Sequence, residues 1–597
     1  MSQPVHWRRP LLMVLASVGM AMVVYFCVLS ASTVAERCFL TALLLASALA
    51  IGFATLRAWF GVFCAASVFG LIWASSWLKF KYLAVPAIAP DLYYFFSFDT
   101  VKVVADYPLL ALASLALILG IPFLLWLAWH SDAPAEFPHH AAARRRRWRK
   151  LGLAGSLFIV IASLTPHGLF AGVYGKPMWI AVNDQSFITN FLTSFYDTQI
   201  TIPQSTAALD RSISWTAATE STPAASAVDG FETAGKAVQT AAEEQRPDIV
   251  AVLEESTFDP MLMTVCQNQP VCRRAMFEPD ARTLAHGLLG VHTFGGGTWT
   301  SEFAFITGLA HTLFGNAGLY APYNLAPLVQ FNIARSLKAQ GYRVVALYPM
   351  KSSFINADNA YRDYGFDALY DGAELGLKKH PRDAEVFDLF WKLYQQERVA
   401  RPQQPLFFFV LTLRQHGPHM TPLKKLPAPY RQALFPGQFS RSNRALDDWL
   451  NLNAANYLAR NAESDVALQA LESRLLDRAT PSILMHFGDH QPAFDGAIMV
   501  VSRQLPPGWG DKGHWATYYM LKSNIPGARR FEYPMLDIVY LGGLLLDAAG
   551  VPPNDYYRAN RLLRERCAGR YEECADPRLL PSYHDYIFHQ IGMLGEP

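Results

Sequence analysis

Three short clusters in the C-terminal half carry the residue types best suited to chemistry: Glu254-Glu255-Ser256, Arg414-Gln415-His416 and Gly488-Asp489-His490. Each follows an apolar, β-rich run, Ile249 to Leu253, Leu406 to Leu411 and Ile483 to Phe487 respectively. In open α/β sheets ligands bind beyond the carboxyl ends of the strands. The clusters are therefore expected at one sheet edge, where carboxylate and imidazole could hold a divalent metal. One acid or histidine after a strand reads first as a helix cap or a satisfied surface group. Three strand ends doing so point to a site.

A second element of chemistry lies in Gly295-Gly296-Gly297-Thr298-Trp299-Thr300-Ser301-Glu302-Phe303, ahead of an apolar helical pattern. Glycines let backbone approach a ligand closely, and a hydroxyl at a helix start sits in the positive end of the dipole. A threonine there can act as a nucleophile. The competing reading is that Thr298 or Ser301 is simply the N-cap.

The elements that must position these groups follow from periodicity. From Asp248 onward short apolar runs alternate with helical patterns, the signature of an α/β domain with a largely parallel sheet. Further strands are predicted at Val344 to Leu347 and Thr517 to Leu521. Helices are predicted at Leu328 to Ala339, Ala384 to Tyr394, Arg444 to Ala459 and Leu536 to Ala549.

The N-terminal third differs. Leu11 to Leu29, Cys38 to Leu56, Phe60 to Leu78, Leu109 to Trp129 and Leu151 to about Val173 are each apolar enough and long enough to cross about 30 Å of hydrocarbon. A five-helix transmembrane domain is expected over residues 1–175, an interfacial segment and linker over 176–246, and an extracytoplasmic catalytic domain over 247–597. Gln204 to Gln245 is rich in Ala, Thr, Ser and Glu and reads as a mostly exposed linker. Trp179 to Ile202, with its aromatics, reads as interfacial or as ordinary packing.

With the N-terminus inside, the basic run Arg144 to Lys150 lies on the cytoplasmic side beside a span, next to anionic lipid rather than nucleic acid. An odd number of spans then places the catalytic domain outside, making this a multi-pass plasma (inner) membrane protein with a periplasmic or extracellular domain. Cysteine usage agrees with that compartment. Cys266 with Cys272 and Cys567 with Cys574 form close pairs, as local disulfides would, and lack zinc-knuckle spacing.

The arrangement resembles the lipoteichoic acid synthase and phosphoglycerol transferase branch of the alkaline-phosphatase superfamily, with its five spans and sulfatase-like domain. The residues that carry the likeness are Leu253 to Ser256, similar to that family's Leu-Glu-Ser strand end; Thr298 to Phe303, similar to its Thr-x-x-Ser-Glu-Phe; Gly488-Asp489-His490; and His416-Gly417-Pro418. The resemblance implies Thr298 as nucleophile and Glu255, Thr298, Asp489 and His490 as ligands of a manganese or zinc ion, with Glu254 as second choice to Glu255. It further implies substrate-binding roles for His416 and, by likeness to phosphoethanolamine transferases, for His514 in Lys512-Gly513-His514.

One segment departs from the pattern. Where the family has Trp and Arg around the phosphoglycerol head group, this chain has Ile355 and Ala357, which removes a bidentate phosphate clamp. Lys351 offers a point charge nearby in sequence, or is a solvated surface lysine.

The resemblance thus implies a membrane-bound, metal-dependent phosphotransferase. It would move a phosphoglycerol or phosphoethanolamine head group from a membrane phospholipid donor, through a phospho-threonine, to an envelope glycan or lipid acceptor. The alternatives are an extracytoplasmic phosphatase or sulfatase-type hydrolase, or a non-catalytic scaffold or sensor. The Cys-or-Ser-x-Pro-x-Arg nucleophile of a sulfatase does not occur in Gly297 to Phe303.

Overall fold

Runs such as Ile249-Val250-Ala251-Val252-Leu253 are apolar at every position, which suits a strand covered on both faces. The computed structural model describes residues 8–83, 85–94, 108–134, 142–174, 185–196, 200, 202–203, 213–216, 246–494, 501–505 and 512–595. The chain divides into two compact units, Met1–Gln199 and Ile200–Pro597.

The C-terminal unit is built on an eight-stranded sheet: β1 Asp248–Glu254, β2 Thr283–Gly290, β3 Arg343–Tyr348, β4 Ala368–Asp371, β5 Leu406–Leu411, β6 Ser482–Gly488, β7 Ala516–Ser523 and β8 Met535–Asp537. The order is β4-β3-β5-β1-β6-β7-β2-β8. β7 alone reverses direction, pairing antiparallel with both β6 and β2. The five expected strands are all present, and the sheet is mostly parallel, as the alternation of elements predicts.

Side chains alternate strictly between two cores. Ile249, Ala251 and Leu253 face one layer together with Phe407, Phe409, Ile483 and Met485. Val250 and Val252 face the other with Phe408, Val410 and Leu484. Because the period of a strand is two, a one-residue slip would exchange these sets. The register Leu253↔Leu411 and Glu254↔Gly488 is therefore held by packing on both sides.

Several boundaries differ from expectation. The helix starting at Arg444 continues to Leu476 rather than stopping near Ala459. The polar stretch after Ala459 breaks the apolar pattern, but tertiary partners satisfy it: Glu463 pairs with Arg414 and Arg382, Ser464 with Asp383, and Asp465 accepts the Met276 N–H. The helix expected from Leu536 begins only at Leu541, because Met535–Asp537 pair with β2 as an edge strand. Trp215, within the segment read as exposed linker, is buried. Its indole N–H donates to Ser582 Oγ at 3.0 Å and its ring packs edge-on against Tyr583.

Both expected cysteine pairs are disulfides, Cys266–Cys272 and Cys567–Cys574. Cys27, Cys38 and Cys64 are free.

In the N-terminal unit, three helices among the described residues are long and apolar enough to cross a membrane: Arg9–Val28, Val34–Thr55 and Ala58–Lys81. The fourth expected span falls in the helix Pro108–Ser131, whose Leu115–Ser131 part is apolar but shorter. The fifth differs, since its helix is Ala142–Leu164, starting within the arginine run. Pro166 cannot continue the ladder and disfavours helical backbone at Thr165, so the run to Val173 is broken. Trp179 to Asp184 lie outside the described residues. Phe187–Thr193 form a short helix with Ile188, Thr189 and Asn190 buried, and the Ser186 N–H donates to Glu36 at 2.6 Å, which is ordinary packing.

At the amino end of β1 the buried Asp248 carboxylate accepts from Arg398, from the Tyr394 hydroxyl and from the Leu406 N–H at 3.0 Å, with Arg478 at 3.5 Å. Removing it takes the shared carboxylate away from two half-buried guanidinium groups and a phenol. Asp248→Ala is expected to cost about 2 kcal/mol, discounted for partial exposure of the arginines. The loss should appear as faster amide hydrogen exchange across β1 and β5; unchanged exchange would show the carboxylate to be dispensable.

Candidate metal centre and nucleophile

β1 and β6 are neighbours, so their carboxyl ends deliver Glu255 and Asp489-His490 side by side. Gly488 permits this closeness: a Cβ there would fall 1.8 Å from the Thr257 carbonyl oxygen, where the chain leaving β1 crosses β6. Ligand atoms of Glu255, Asp489 and His490 lie within 4.8 Å of one another, and all three residues are buried.

The carboxylates are held by short bonds. Asp489 Oδ1 accepts the N–H groups of Ser256 and His490, both at 2.7 Å. Glu255 Oε1 accepts the Ser256 hydroxyl at 2.8 Å. Asp489 Oδ2 is buried, accepts no hydrogen bond and lies 3.2 Å from His490 Nε2. His490 Nδ1 contacts the Gln491 carbonyl at 3.0 Å, which leaves Nε2 facing the acids.

Burial, and then the neighbouring Glu255 charge, push Asp489 up to about 7. Two buried acids with an orphaned oxygen and an imidazole nitrogen fit a divalent cation, which would offset the charge that burial penalises.

Thr298 opens the helix Thr298–Thr307. The N-cap is Gly297, in the left-handed region at φ +84°, and it makes no side-chain cap. Neither threonine nor serine therefore takes the capping role that was the competing reading. Thr300 Oγ1 turns back to the Gly297 carbonyl at 2.7 Å, and Ser301 Oγ donates to the Asp489 carbonyl at 2.7 Å. Thr298 Oγ1 instead donates to Glu255 Oε2 at 2.9 Å and lies 3.4 Å from His490 Nε2. The glycine loop is fastened to the same edge by the Gly295 N–H donating to the Gln491 carbonyl at 2.9 Å.

Of the two candidate glutamates, Glu255 faces the group. Glu254 turns to Thr412, and its Oε1 is buried without a partner. Burial and the nearby Asp383 charge hold Glu254 well above the usual carboxylate range.

His416, His514 and Lys351 lie outside the three-residue ligand group. His416 Nδ1 contacts the Gly417 carbonyl at 2.7 Å. The His514 ring lies tilted against Phe294 and Trp515, with centroids 5.5 and 4.6 Å away, on a segment fastened by Gln491 Nε2 donating to the Gly513 carbonyl at 2.7 Å. Lys351 is exposed after β3. Ile355 and Ala357 are both buried, and Ile355 has a positive φ of 50°.

Sequence reasoning assigned no role to Glu302. It accepts the Tyr361 hydroxyl at 2.6 Å, and burial, followed by the charges of Asp489 and Glu255, pushes it up to about 8. Its signal was its place in the Thr298 to Phe303 motif.

Residues 247–527 match the Sulfatase family model. An uncharacterized protein of Haemophilus influenzae is 32% identical over 367 residues, covering 59% of this chain and 62% of that protein. A candidate cyclic beta-1,2-glucan modification protein of Rhizobium meliloti is 24% identical over 376 residues, covering 58% of this chain and 55% of that one. The chain thus spans less than two thirds of the length of each of these relatives. Among solved structures, the integral membrane lipooligosaccharide phosphoethanolamine transferase A of Neisseria meningitidis aligns with 89% of this chain and 95% of its own, at 12% identity and a TM-score of 0.44. With the predominantly parallel sheet and the motif residues gathered at its edge, residues 247–527 form a sulfatase-like α/β domain.

Proposed function

We propose that the protein is a membrane-bound phosphotransferase that moves a phosphoglycerol or phosphoethanolamine head group from a phospholipid to a cell-envelope glycan or lipid. The observation that carries this reading is the Thr298 hydroxyl, released from helix capping and donating to Glu255 inside the acidic group. The name of the Rhizobium meliloti relative, a glucan modification protein, favours a glycan acceptor.

In the first step Thr298 Oγ1 bonds to phosphorus and the bond from phosphorus to the diacylglycerol oxygen breaks. Glu255 Oε2 takes the hydroxyl proton from Thr298, and that proton passes to the departing diacylglycerol oxygen. In the second step an acceptor hydroxyl oxygen bonds to phosphorus, the Thr298 Oγ1 bond to phosphorus breaks, and the proton lost by the acceptor hydroxyl passes to Thr298 Oγ1. His416 and His514 bind phosphate oxygens or move protons, and Lys351 offers a point charge to the head group. Glu255, Thr298, Asp489 and His490 would hold manganese or zinc, which when bound lowers the charge on phosphoryl oxygens.

The catalytic domain is assigned to the outer side of the inner membrane, supported by the two disulfides of the C-terminal unit and the apolar N-terminal helices.

Thr298→Ala should abolish the phosphorylated intermediate on incubation with mixed phospholipids and lower transfer by on the order of 10⁴-fold or more. Mass spectrometry of the wild-type Thr298 peptide identifies the head group; transfer persisting in the variant would remove the mechanism.

Asp489→Asn should lose bound metal. Because Asp489 titrates near 7 and must shed its proton to ligate, metal affinity of the wild type should rise with pH through about 7. A pH-independent affinity would count against Asp489 as a ligand.

A periplasm-dependent reporter fused after Gln204 should be active, and an inactive fusion would reverse the orientation.

A further inference from the structure

Gln491 follows His490 directly and is fully buried, yet the transfer scheme gives it no part. Its side-chain Nε2 donates to the Gly513 carbonyl at 2.7 Å and to the Ala516 carbonyl at 2.6 Å, and its Oε1 accepts from Arg503 Nε at 2.7 Å. Both amide hydrogens and the oxygen are engaged. A flipped amide would set oxygen against two carbonyls and hydrogens against a guanidinium, so the partners dictate its orientation.

Arg503 is itself fixed. Its Nη1 donates to the Val501 carbonyl at 2.6 Å, and it bridges antiparallel to Met263. On either side of that bridge the Thr264 N–H donates to the Ser502 carbonyl at 3.0 Å and the Gln504 N–H to the Leu262 carbonyl at 2.8 Å. Gly513 lets the two segments meet, because a Cβ there would lie 3.0 Å from Arg503 Cδ and 3.2 Å from Leu505 Cδ1.

The main chain of Gln491 serves the other side of the edge. Its carbonyl accepts the Gly295 N–H at 2.9 Å, in the loop that leads into Thr298, and lies 3.0 Å from His490 Nδ1. One residue therefore holds the nucleophile loop and the metal-centre imidazole through its backbone, and the turn Lys512–Trp515 through its side chain. That turn carries His514, whose ring lies 5.5 Å between centroids from Phe294, the residue ahead of Gly295. His514 is thus beside the loop that delivers Thr298.

Fastening β7 to β6 does not require this amide. The ladder does so over Ile483↔Ser523 to Phe487↔Tyr519, whereas the amide acts beyond its last pair, on Gly513 and Ala516. We propose that Gln491 is a positioning residue whose side chain sets His514 at the rim, while its carbonyl sets the His490 imidazole. The proposal rests on the head-group transfer reading.

The test uses the full-length protein in detergent, with bound metal, hydrogen exchange and Thr298 phosphorylation measured on the same variants. The donor is an equal mixture of phosphatidylglycerol and phosphatidylethanolamine. Gln491→Met keeps the side-chain length and removes its hydrogen bonds. Metal content should match the wild type, because the carbonyl that orients His490 remains. Exchange across Lys512–Trp515 should quicken while β1 and β6 are unchanged, and phosphorylation should fall by about 10- to 100-fold. His514→Ala should also lower the rate, and adding Gln491→Met to it should cost no more than roughly twofold further.

Multiplying losses in the double variant would mark Gln491 as a general support of the fold and overturn the proposal. So would unchanged exchange across Lys512–Trp515, loss of metal in Gln491→Met, or a full rate in His514→Ala. Should Gln491→Met not fold, Gln491→Glu, which keeps the acceptor for Arg503 and loses both donors, takes the same measurements. Absence of phosphorylated Thr298 in the wild type would defeat the transfer reading, whereas the exchange result judges the placement of His514 by itself.

Discussion

The constraint on which the site depends is the burial of two carboxylates, Glu255 and Asp489, side by side at the ends of adjacent strands. Like charges removed from water repel and are poorly solvated, and Asp489 responds by holding its proton up to about 7. Such a cluster persists only if its surroundings fix it. Here the Ser256 and His490 N–H groups, the Ser256 hydroxyl and the Thr298 hydroxyl all donate to these two side chains.

Those donors stand in place because of the layers behind them. β1 and β6 run parallel with every side chain buried, so the positions of their last residues are fixed by apolar packing on both faces. Gly488 lets the chain leaving β1 cross close by, and Gly297 turns Thr298 inward at the head of its helix. Glu302, four residues further along that helix, binds Tyr361 and fastens the helix from behind. Packing, backbone conformation and electrostatics therefore act on the same few residues.

Much of this was legible in the sequence, because strand-end clusters and apolar runs report position directly. Glu255, Thr298, Asp489 and His490 are brought together as their places after β1, before the helix and after β6 imply. What was not legible depended on distant partners. The polar residues of the helix beyond Ala459 look like a helix end until Arg414, Arg382 and the His416 carbonyl are seen to engage them. β2, β4 and β8 are short or interrupted and take their register from neighbours. Trp215 sits in a composition that reads as linker, yet the C-terminal unit supplies it with Tyr583, Ser582 and Arg566. The choice between Glu254 and Glu255 is a question of side-chain direction that composition does not answer.

The reversed strand β7 has its own effect on how the edge is assembled. Parallel strands can contribute to that edge only the residues that come after them, whereas β7 contributes its first residue and those before it, as Ala516 and Gly513 do when their carbonyls accept from Gln491. His514 thus arrives at the rim from the opposite chain direction to His490. The rim is consequently closed from two polarities, and a loop inserted ahead of β7 could remodel access to the acids without lengthening any connection that holds them.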